Sequence, residues 1–341
     1  MLQPFVSICI PSYNRPRELQ RLLNSVNIGC SGDMEILICE DKSPKRDEIV
    51  AVVEAFAQSS PLETVLHLNE ANLGYDGNLR NLVAKANGEY IIFMGDDDVF
   101  DTPNLPAFIG FLKEHTDLGY ILKTHTFIHQ NGERELFKYF PDTKFFEPGP
   151  EAYQTLFRKS VFISGFCIKR AAALPYQTHR FDGGLLYQLY LLAEVTLKYP
   201  SAFCAIPLTI QDERLRGVPM FGSSEREKNL YKPGEITVEN SLNFMKGFFD
   251  ITGYIDQVHG LQSSVFMKKN FSKYAYPVLS VQRNKGRKIF RKYCKQLENS
   301  IQINQTIYYY VYYYGLLAFG KRFCDQAIVK MKKILGSTPN L

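Results

Sequence analysis

The stretch NGEYIIFMGDDDVF, residues 87–100, decides how the rest of the chain is read. Tyr90 to Met94 carries aromatics, two isoleucines and no charge, between Gly88 and Gly95. Such a run reads as a strand buried on both faces. Asp96, Asp97 and Asp98 follow at its carboxyl end. Open α/β sheets place their ligands at the carboxyl ends of strands. Three carboxylates crowded there repel one another unless a cation neutralises them. Hard divalent cations with oxygen ligands, Mg²⁺ or Mn²⁺, suit such a site. A solvated acidic turn is the bland alternative, and the buried strand with its glycine pivot argues against it.

Upstream, the pattern alternates. Val6 to Ile10 reads as a strand and Arg17 to Val26 as a helix. Met34 to Cys39 is a second strand, followed by a helix from Asp47 to about Gln58. Thr64 to Leu68 is a third strand, and Tyr75 to Ala86 a helix with Leu79, Leu82, Val83 and Ala86 on one face. Short connections between alternating strands and helices predict an α/β chain with a doubly wound, mostly parallel sheet. Downstream, the expected elements are a helix at Leu105–Glu114, a strand at Gly119–Phe127 and a hairpin turn at Asn131-Gly132. A helix at Pro150–Lys159 and a strand at Phe162–Ile168 follow. Then come a helix at Gly183–Tyr199, a strand at Ala202–Ile206 and a polar loop at Thr209–Gly222. From Ser223 on, the pattern is helical. The expected division is a nucleotide-site domain over 1–222 and a C-terminal helical appendage over 223–341.

Composition is that of an ordinary globular protein, with 45% hydrophobic and 22% charged residues in 341. The opening MLQPFVSICIPSYNR lacks a basic segment and a long apolar run, so no signal peptide is expected. No apolar run reaches the length of a transmembrane helix. The cysteines (Cys9, Cys30, Cys39, Cys167, Cys204, Cys294 and Cys324) are odd in number and form no CxxC pair. They suggest neither zinc nor a disulfide framework, but reduced thiols in a cytoplasmic compartment. The net charge of +5 is uneven. From Ser264 on, Glu298 and Asp325 are the only acids against more than a dozen Lys and Arg. A basic tail on an acidic body suggests an anionic surface as partner.

Polar groups stand at the end of each early strand: Tyr13, Asn14 and Arg15, then Glu40 and Asp41, then Asn69 to Gly74, then the three aspartates. A nucleotide site needs such groups to read a base, stack on it and neutralise a diphosphate. Neither GxGxxG nor GxxxxGK[ST] is present, which argues against dinucleotide dehydrogenases and P-loop enzymes.

The segments VSICIPSYNRP, EILICEDKS and NLGYDGNLRNLVAKANGEYIIFMGDDD, taken as a set, resemble the family 2 glycosyltransferases over roughly residues 4–210. The GDDD version is similar to the abequosyltransferase-like enzymes of O-antigen and capsule synthesis. The resemblance implies a GT-A fold, a nucleotide-sugar donor and a hydroxyl of a glycan acceptor. It also implies an inverting, Mn²⁺- or Mg²⁺-dependent transfer in bacterial surface polysaccharide synthesis. It places Pro11, Tyr13, Arg15, Glu40, Asp41, Arg80, Asp96 and Asp97 around the nucleotide-sugar, with Asp98 and Asp96 as metal ligands. Asp182, the only acid at the start of its expected helix, is the candidate base; its plain alternative is an N-cap. Arg214 and Arg216 are candidates to clamp the leaving diphosphate.

Two other classes remain open at this point. One is a nucleotidylyltransferase, which releases pyrophosphate. The other is a nucleic-acid binder using the basic tail, although no recognisable binding module supports it. The tyrosine-rich stretch Thr306–Gly320 is expected either at a membrane surface, peripheral on its inner face beside a lipid-linked acceptor, or in a homo-oligomer interface.

Overall fold

The computed structural model describes residues 3–26, 29, 32–215, 217 and 219–335. It divides into two compact units, Met1–Asn229 and Leu230–Leu341. The expected boundary at residue 222 falls inside the first.

The first unit is built on one sheet. β1 (Val6–Ser12), α1 (Pro16–Ser25), β2 (Met34–Glu40), α2 (Arg46–Ser59), β3 (Glu63–Leu68), α3 (Gly74–Lys85) and β4 (Tyr90–Phe93) alternate as the apolar pattern predicts. These strands pair in parallel in the order β3-β2-β1-β4. Every residue of β2 and β4 is buried, Glu35 and Glu40 of β2 included, and β4 reads as an unbroken apolar run. After the aspartates come β5 (Val99–Phe100), α4 (Leu105–Glu114), β6 (Tyr120–Ile128), β7 (Arg134–Phe137) and β8 (Lys144–Phe146). Then follow α5 (Pro150–Leu156), β9 (Phe166–Lys169), α6 (Arg170–Ala173), α7 (Tyr187–Thr196) and β10 (Ser201–Asp212). The sheet continues as β4-β9-β6-β10-β5, with β9 antiparallel to both neighbours and β10 parallel to β6. Asn131-Gly132 forms the turn into β7, with Gly132 at φ +83°.

Three boundaries differ from the periodic reading, and backbone conformation explains two of them. β9 starts at Phe166 because Gly165 has φ +82°, which no regular strand accommodates. α7 starts at Tyr187, not Gly183, because Gly183 and Leu185 have φ +90° and +63°. The expected loop from Thr209 is partly strand. β10 runs to Asp212 because Thr209 and Ile210 pair with β5 and the last residues pair with β6.

The core runs between the sheet and its helices, with Ile8, Leu22, Ile36, Ile38, Ile92, Phe108 and Ile121 among its buried members. Its foot is tied at the Asn87-Gly88 corner. Glu35 accepts from the Asn87 N–H at 2.7 Å and from the Ser7 hydroxyl, which in turn accepts from the Gly88 N–H at 2.8 Å.

The second unit is helical: α8 (Val238–His259), α9 (Ser263–Lys273), α10 (Tyr276–Ser280), α11 (Arg287–Ser300), α12 (Ile307–Phe319) and α13 (Lys321–Leu335). The Thr237 hydroxyl caps α8 by accepting from the Asn240 N–H at 3.0 Å, and left-handed Gly260 ends it. Asp256 accepts from the N–H groups of Ser263 and Ser264 at 2.7 and 2.8 Å, fixing the start of α9. Phe248, Ile255, Phe271, Leu279, Phe290 and Leu297 fill its interior. Six of the seven cysteines are free thiols, and Cys30 lies outside the described residues. Among the described residues, no helix is long and apolar enough to cross a membrane.

A Cβ on Gly88 would stand 2.5 Å from the Ser7 nitrogen and 2.7 Å from the Val6 carbonyl carbon. Backbone on that side cannot move without breaking the β1 pairing. Gly88→Ala is expected to cost about 2 kcal/mol of stability, read from urea unfolding; a loss below about 0.5 kcal/mol would show that the corner yields.

Candidate active site

The carboxyl ends of β1, β2 and β4 and the start of α3 open into a cleft of about 290 Å³. Pro11, Ser12, Tyr13 and Arg15 line it from the first strand, Asp41 from the second, and Asp96 and Asp97 from the fourth. Asn72, Gly74, Tyr75, Asn78 and the segment from Pro219 to Glu227 complete the wall.

Asp41 is buried and makes the base of α3. Its carboxylate accepts from the N–H groups of Leu73 and Gly74 at 2.8 and 2.9 Å, and from the Asn69 amide at 2.8 Å. Burial pushes its carboxyl up to about 6 against the pull of those bonds. The Asn69 carbonyl oxygen accepts from Asn81, and the Asn78 amide donates to the Cys39 carbonyl, so the floor is a connected polar network.

Asp96 accepts from the Tyr13 N–H at 3.1 Å and from the Arg15 guanidinium at 2.9 Å. The same Arg15 nitrogen reaches Asp97 at 3.0 Å, so one arginine joins two of the three acids. Burial pushes the Asp96 carboxyl up to about 6, and the Arg15 charge opposes the shift. Asp98 faces inward: it is 6% exposed and accepts from the Ser164 hydroxyl at 2.5 Å. Behind it stands Lys123, buried on β6, with its ammonium 4.1 Å from the Phe162 ring centroid. Burial pulls that ammonium down to about 7, and the Asp98 charge opposes the pull.

The cleft thus brings together Pro11, Tyr13, Arg15, Asp41, Asp96 and Asp97. The other expected site residues stand elsewhere. Glu40 is 0% exposed and turned into its own loop. It accepts from the N–H groups of Ser43 and Lys42 at 2.7 and 3.0 Å and from the Arg46 guanidinium. Arg80 points away from the cleft: its guanidinium forks onto Asp182 and donates to the Thr178 carbonyl. Asp182 is 2% exposed in its side chain, does not line the cleft, and also meets His179 at 3.0 Å. It is not the cap of α7 either. Asp76 holds that entry, accepting from the N–H groups of Gly183, Leu185 and Tyr187 at 2.9, 2.8 and 2.9 Å. Arg214 forks onto Asp212 at the exposed end of β10, away from the cleft. Arg216 lies outside the described residues.

Four features were missed from sequence. Asp76 sits in α3, where the sequence reading marked the apolar stripe and Arg80 but not this acid. Glu227 accepts from the Tyr75 N–H at 2.7 Å and from Gly222 at 2.8 Å, placing residues 219–227 on the cleft rather than in the helical appendage. Ser164 and Lys123, which flank Asp98, carried no motif.

These features make an α/β fold of GT-A type, with an acidic strand end in its cleft, and a separate helical C-terminal unit. Residues 7–171 match the family described as glycosyl transferase family 2. Abequosyltransferase RfbV of Salmonella typhimurium is 30% identical over 113 residues, 33% of this chain and 34% of that one. The chain therefore spans about a third of the length of that relative. Among solved structures, S. aureus TarS 1-349 in complex with UDP-GlcNAc superposes with a TM-score of 0.55 at 15% identity, over 97% of this chain and 92% of that one. The mannosyltransferase PcManGT from Pyrobaculum calidifontis, in complex with GDP-Man and Mn²⁺, gives 0.51 at 13% identity, over 97% and 87%. At these identities the likeness is one of fold. The likeness to glycosyl transferase family 2 lies in residues 7–171, just under half of the chain.

Removing the Asp76 carboxylate leaves three backbone N–H groups without their acceptor. Asp76→Ala is expected to lower stability by about 3 kcal/mol and to weaken any ligand that needs α3 in place. A change under about 1 kcal/mol in denaturant unfolding would mean that water replaces the carboxylate and the entry to α7 is held otherwise.

Proposed function

We propose that the protein transfers a sugar, with inversion, from a nucleotide-sugar to a hydroxyl of a glycan acceptor in bacterial surface polysaccharide synthesis. The observation that carries the reading is the cleft itself, where the acidic end of β4 meets Tyr13, Arg15 and Asp41 from neighbouring strands. Tyr13 and Asp41 receive the nucleoside, and Arg15 holds the acidic strand end beside the diphosphate. Asp96 lines the cleft, whereas Asp98 lies behind it on the Ser164 hydroxyl and would have to turn from Ser164 to reach an ion there. Both carboxylates are the donor class that Mg²⁺ or Mn²⁺ takes, and such ions need only one or two protein carboxylates beside phosphate oxygens and water. Among the described residues no group of three or more acids, histidines or cysteines is placed to hold a metal ion by itself. When bound, the ion would stabilise the charge that develops on the leaving diphosphate.

Asp182 receives a different role from the one the family resemblance suggests. A base must accept a proton from the acceptor, and this carboxylate is buried against a guanidinium instead. We assign it to holding Arg80, and with it the 178–187 segment, against α3. In this reading the acceptor is lipid-linked and the protein works peripherally at the inner face of the cell membrane.

The test is a thermal-shift screen of nucleoside diphosphates and nucleotide-sugars with and without Mn²⁺. A ligand at 100 times its Kd adds about 2.7 kcal/mol to the folded state. One nucleotide series is expected to shift the melt, with product assays showing free nucleoside diphosphate and no pyrophosphate. Asp98→Asn keeps an acceptor for Ser164 but loses the charge. It is expected to stay folded and to lose about a hundredfold in turnover with Mn²⁺; near-normal turnover would remove Asp98 from the metal site.

Asp182→Ala leaves the Arg80 charge buried without its partner, and about 3 kcal/mol of stability is expected to go with it. Asp182→Asn should lose stability in the same direction, with donor affinity falling alongside. An Asn variant that melts normally, binds donor normally and has no turnover would restore the base assignment.

A further inference from the structure

The second unit carries a surface that the transfer chemistry does not use. α12 has 13 residues and no charged side chain. Tyr309 and Leu316, both 0% exposed and two turns apart, anchor its inner side. On the opposite side Ile307, Val311 and Tyr314 recur at four and three residues, and they are 71%, 59% and 63% exposed. Tyr308 and Tyr310 flank this stripe. Phe319 and Phe323, also exposed, extend it into α13 with ring centroids 5.1 Å apart. A helix on a water-facing surface normally turns polar residues outward; this one is apolar on both sides.

The rim of the stripe is basic. α11 packs beside α12: the Phe290 ring stacks on Tyr313 at 5.6 Å, and the Arg287 guanidinium donates to the Ala318 carbonyl at 3.4 Å. Arg287, Lys288, Arg291, Lys292 and Lys295 all lie exposed on α11. Lys269 and Lys273 are exposed on α9, which also meets α12. Both acids of this stretch are engaged internally. Glu298 accepts from the Tyr309 hydroxyl at 3.0 Å, and Asp325 from the Tyr276 hydroxyl and the Lys321 ammonium, each at 2.6 Å.

We propose that the outer face of α12 docks the protein flat onto an anionic lipid surface. The inference gives a surface to the peripheral location in the proposed function and rests on that part of the reading. Tyrosine and phenylalanine rings favour the boundary between headgroups and acyl chains, where the ring is dry and a hydroxyl stays wet. The basic rim reaches anionic headgroups around them. At about 1.5 Å per residue, α12 is too short to span a bilayer, so the helix lies in the interface plane. The same charge argues against a second copy of the chain as occupant. A two-fold contact through α12 would bring two basic rims together.

The experiment is flotation of the full chain with phosphatidylcholine vesicles, with and without phosphatidylglycerol, at low and high salt. The wild type is expected to float with the anionic vesicles and to be released by salt. Val311→Asp combined with Tyr314→Asp, both at exposed positions, should lower retention at least about tenfold with an unchanged melt. Arg291→Glu combined with Lys292→Glu should do the same, and it serves as the second arm if the first variant misfolds. Three results would overturn the proposal: no flotation of the wild type, flotation untouched by the α12 pair, or flotation equal on neutral vesicles. Sedimentation gives the rival outcome, a dimer that the α12 pair dissociates with no vesicle binding. The nucleotide-dependent melt of the same samples reports the transfer reading separately, so the two can fail independently.

Discussion

The first unit is governed by the burial of carboxylates at the ends of its strands and helices. A carboxylate out of water is costly unless donors surround it. Asp41, Asp76, Asp96 and Glu227 are all buried, and their donors are largely backbone N–H groups. Asp41 takes those of Leu73 and Gly74, Asp76 those of Gly183, Leu185 and Tyr187, Asp96 that of Tyr13, and Glu227 those of Tyr75 and Gly222. Each acid therefore fixes a loop as well as a charge. The cleft keeps its shape because the loops around it end on carboxylates that cannot release them cheaply.

α3 is where these ties meet. Its N-terminus rests on Asp41 and Glu227. Asp76 and Arg80, four residues apart on one face, hold the segment that leads into α7. Asn78 and Asn81 belong to the polar floor. Gly74 could not be another residue without cost. It has φ +74°, and a Cβ there would stand 2.5 Å from the Ser224 hydroxyl and 2.6 Å from a Glu227 oxygen. The helix is thus a polar hub on one side and a core element on the other.

Much of this was legible in the sequence, for definite reasons. β1, β2 and β4 are buried runs bounded by turn residues, and the strand–helix alternation leaves few topologies. Tyr13, Asp41 and Asp96 were found because a strand end is a place that chain position can mark. What escaped is long-range. An aspartate was expected near the start of α7, and the acid that holds that start is Asp76, more than a hundred residues earlier. Glu40 and Asp41 looked equivalent on paper. Only the fold shows that one closes its own loop while the other faces the cleft. Gly165, Gly183 and Leu185 shifted two boundaries because left-handed backbone leaves no trace in hydrophobic periodicity.

The acidic strand end carries its own counter-charges. Arg15 reaches Asp96 and Asp97 through one nitrogen, and its guanidinium does not deprotonate in a protein. Arg15 follows Asn14, which has φ +62°, in the short turn between β1 and α1. From the other side Lys123 acts electrostatically on Asp98. A bare row of three aspartates would repel a diphosphate. Arg15 and Lys123 together offset at most two of those three charges, and burial weakens the Lys123 share, so the strand end stays net negative and of the donor class that hard cations take.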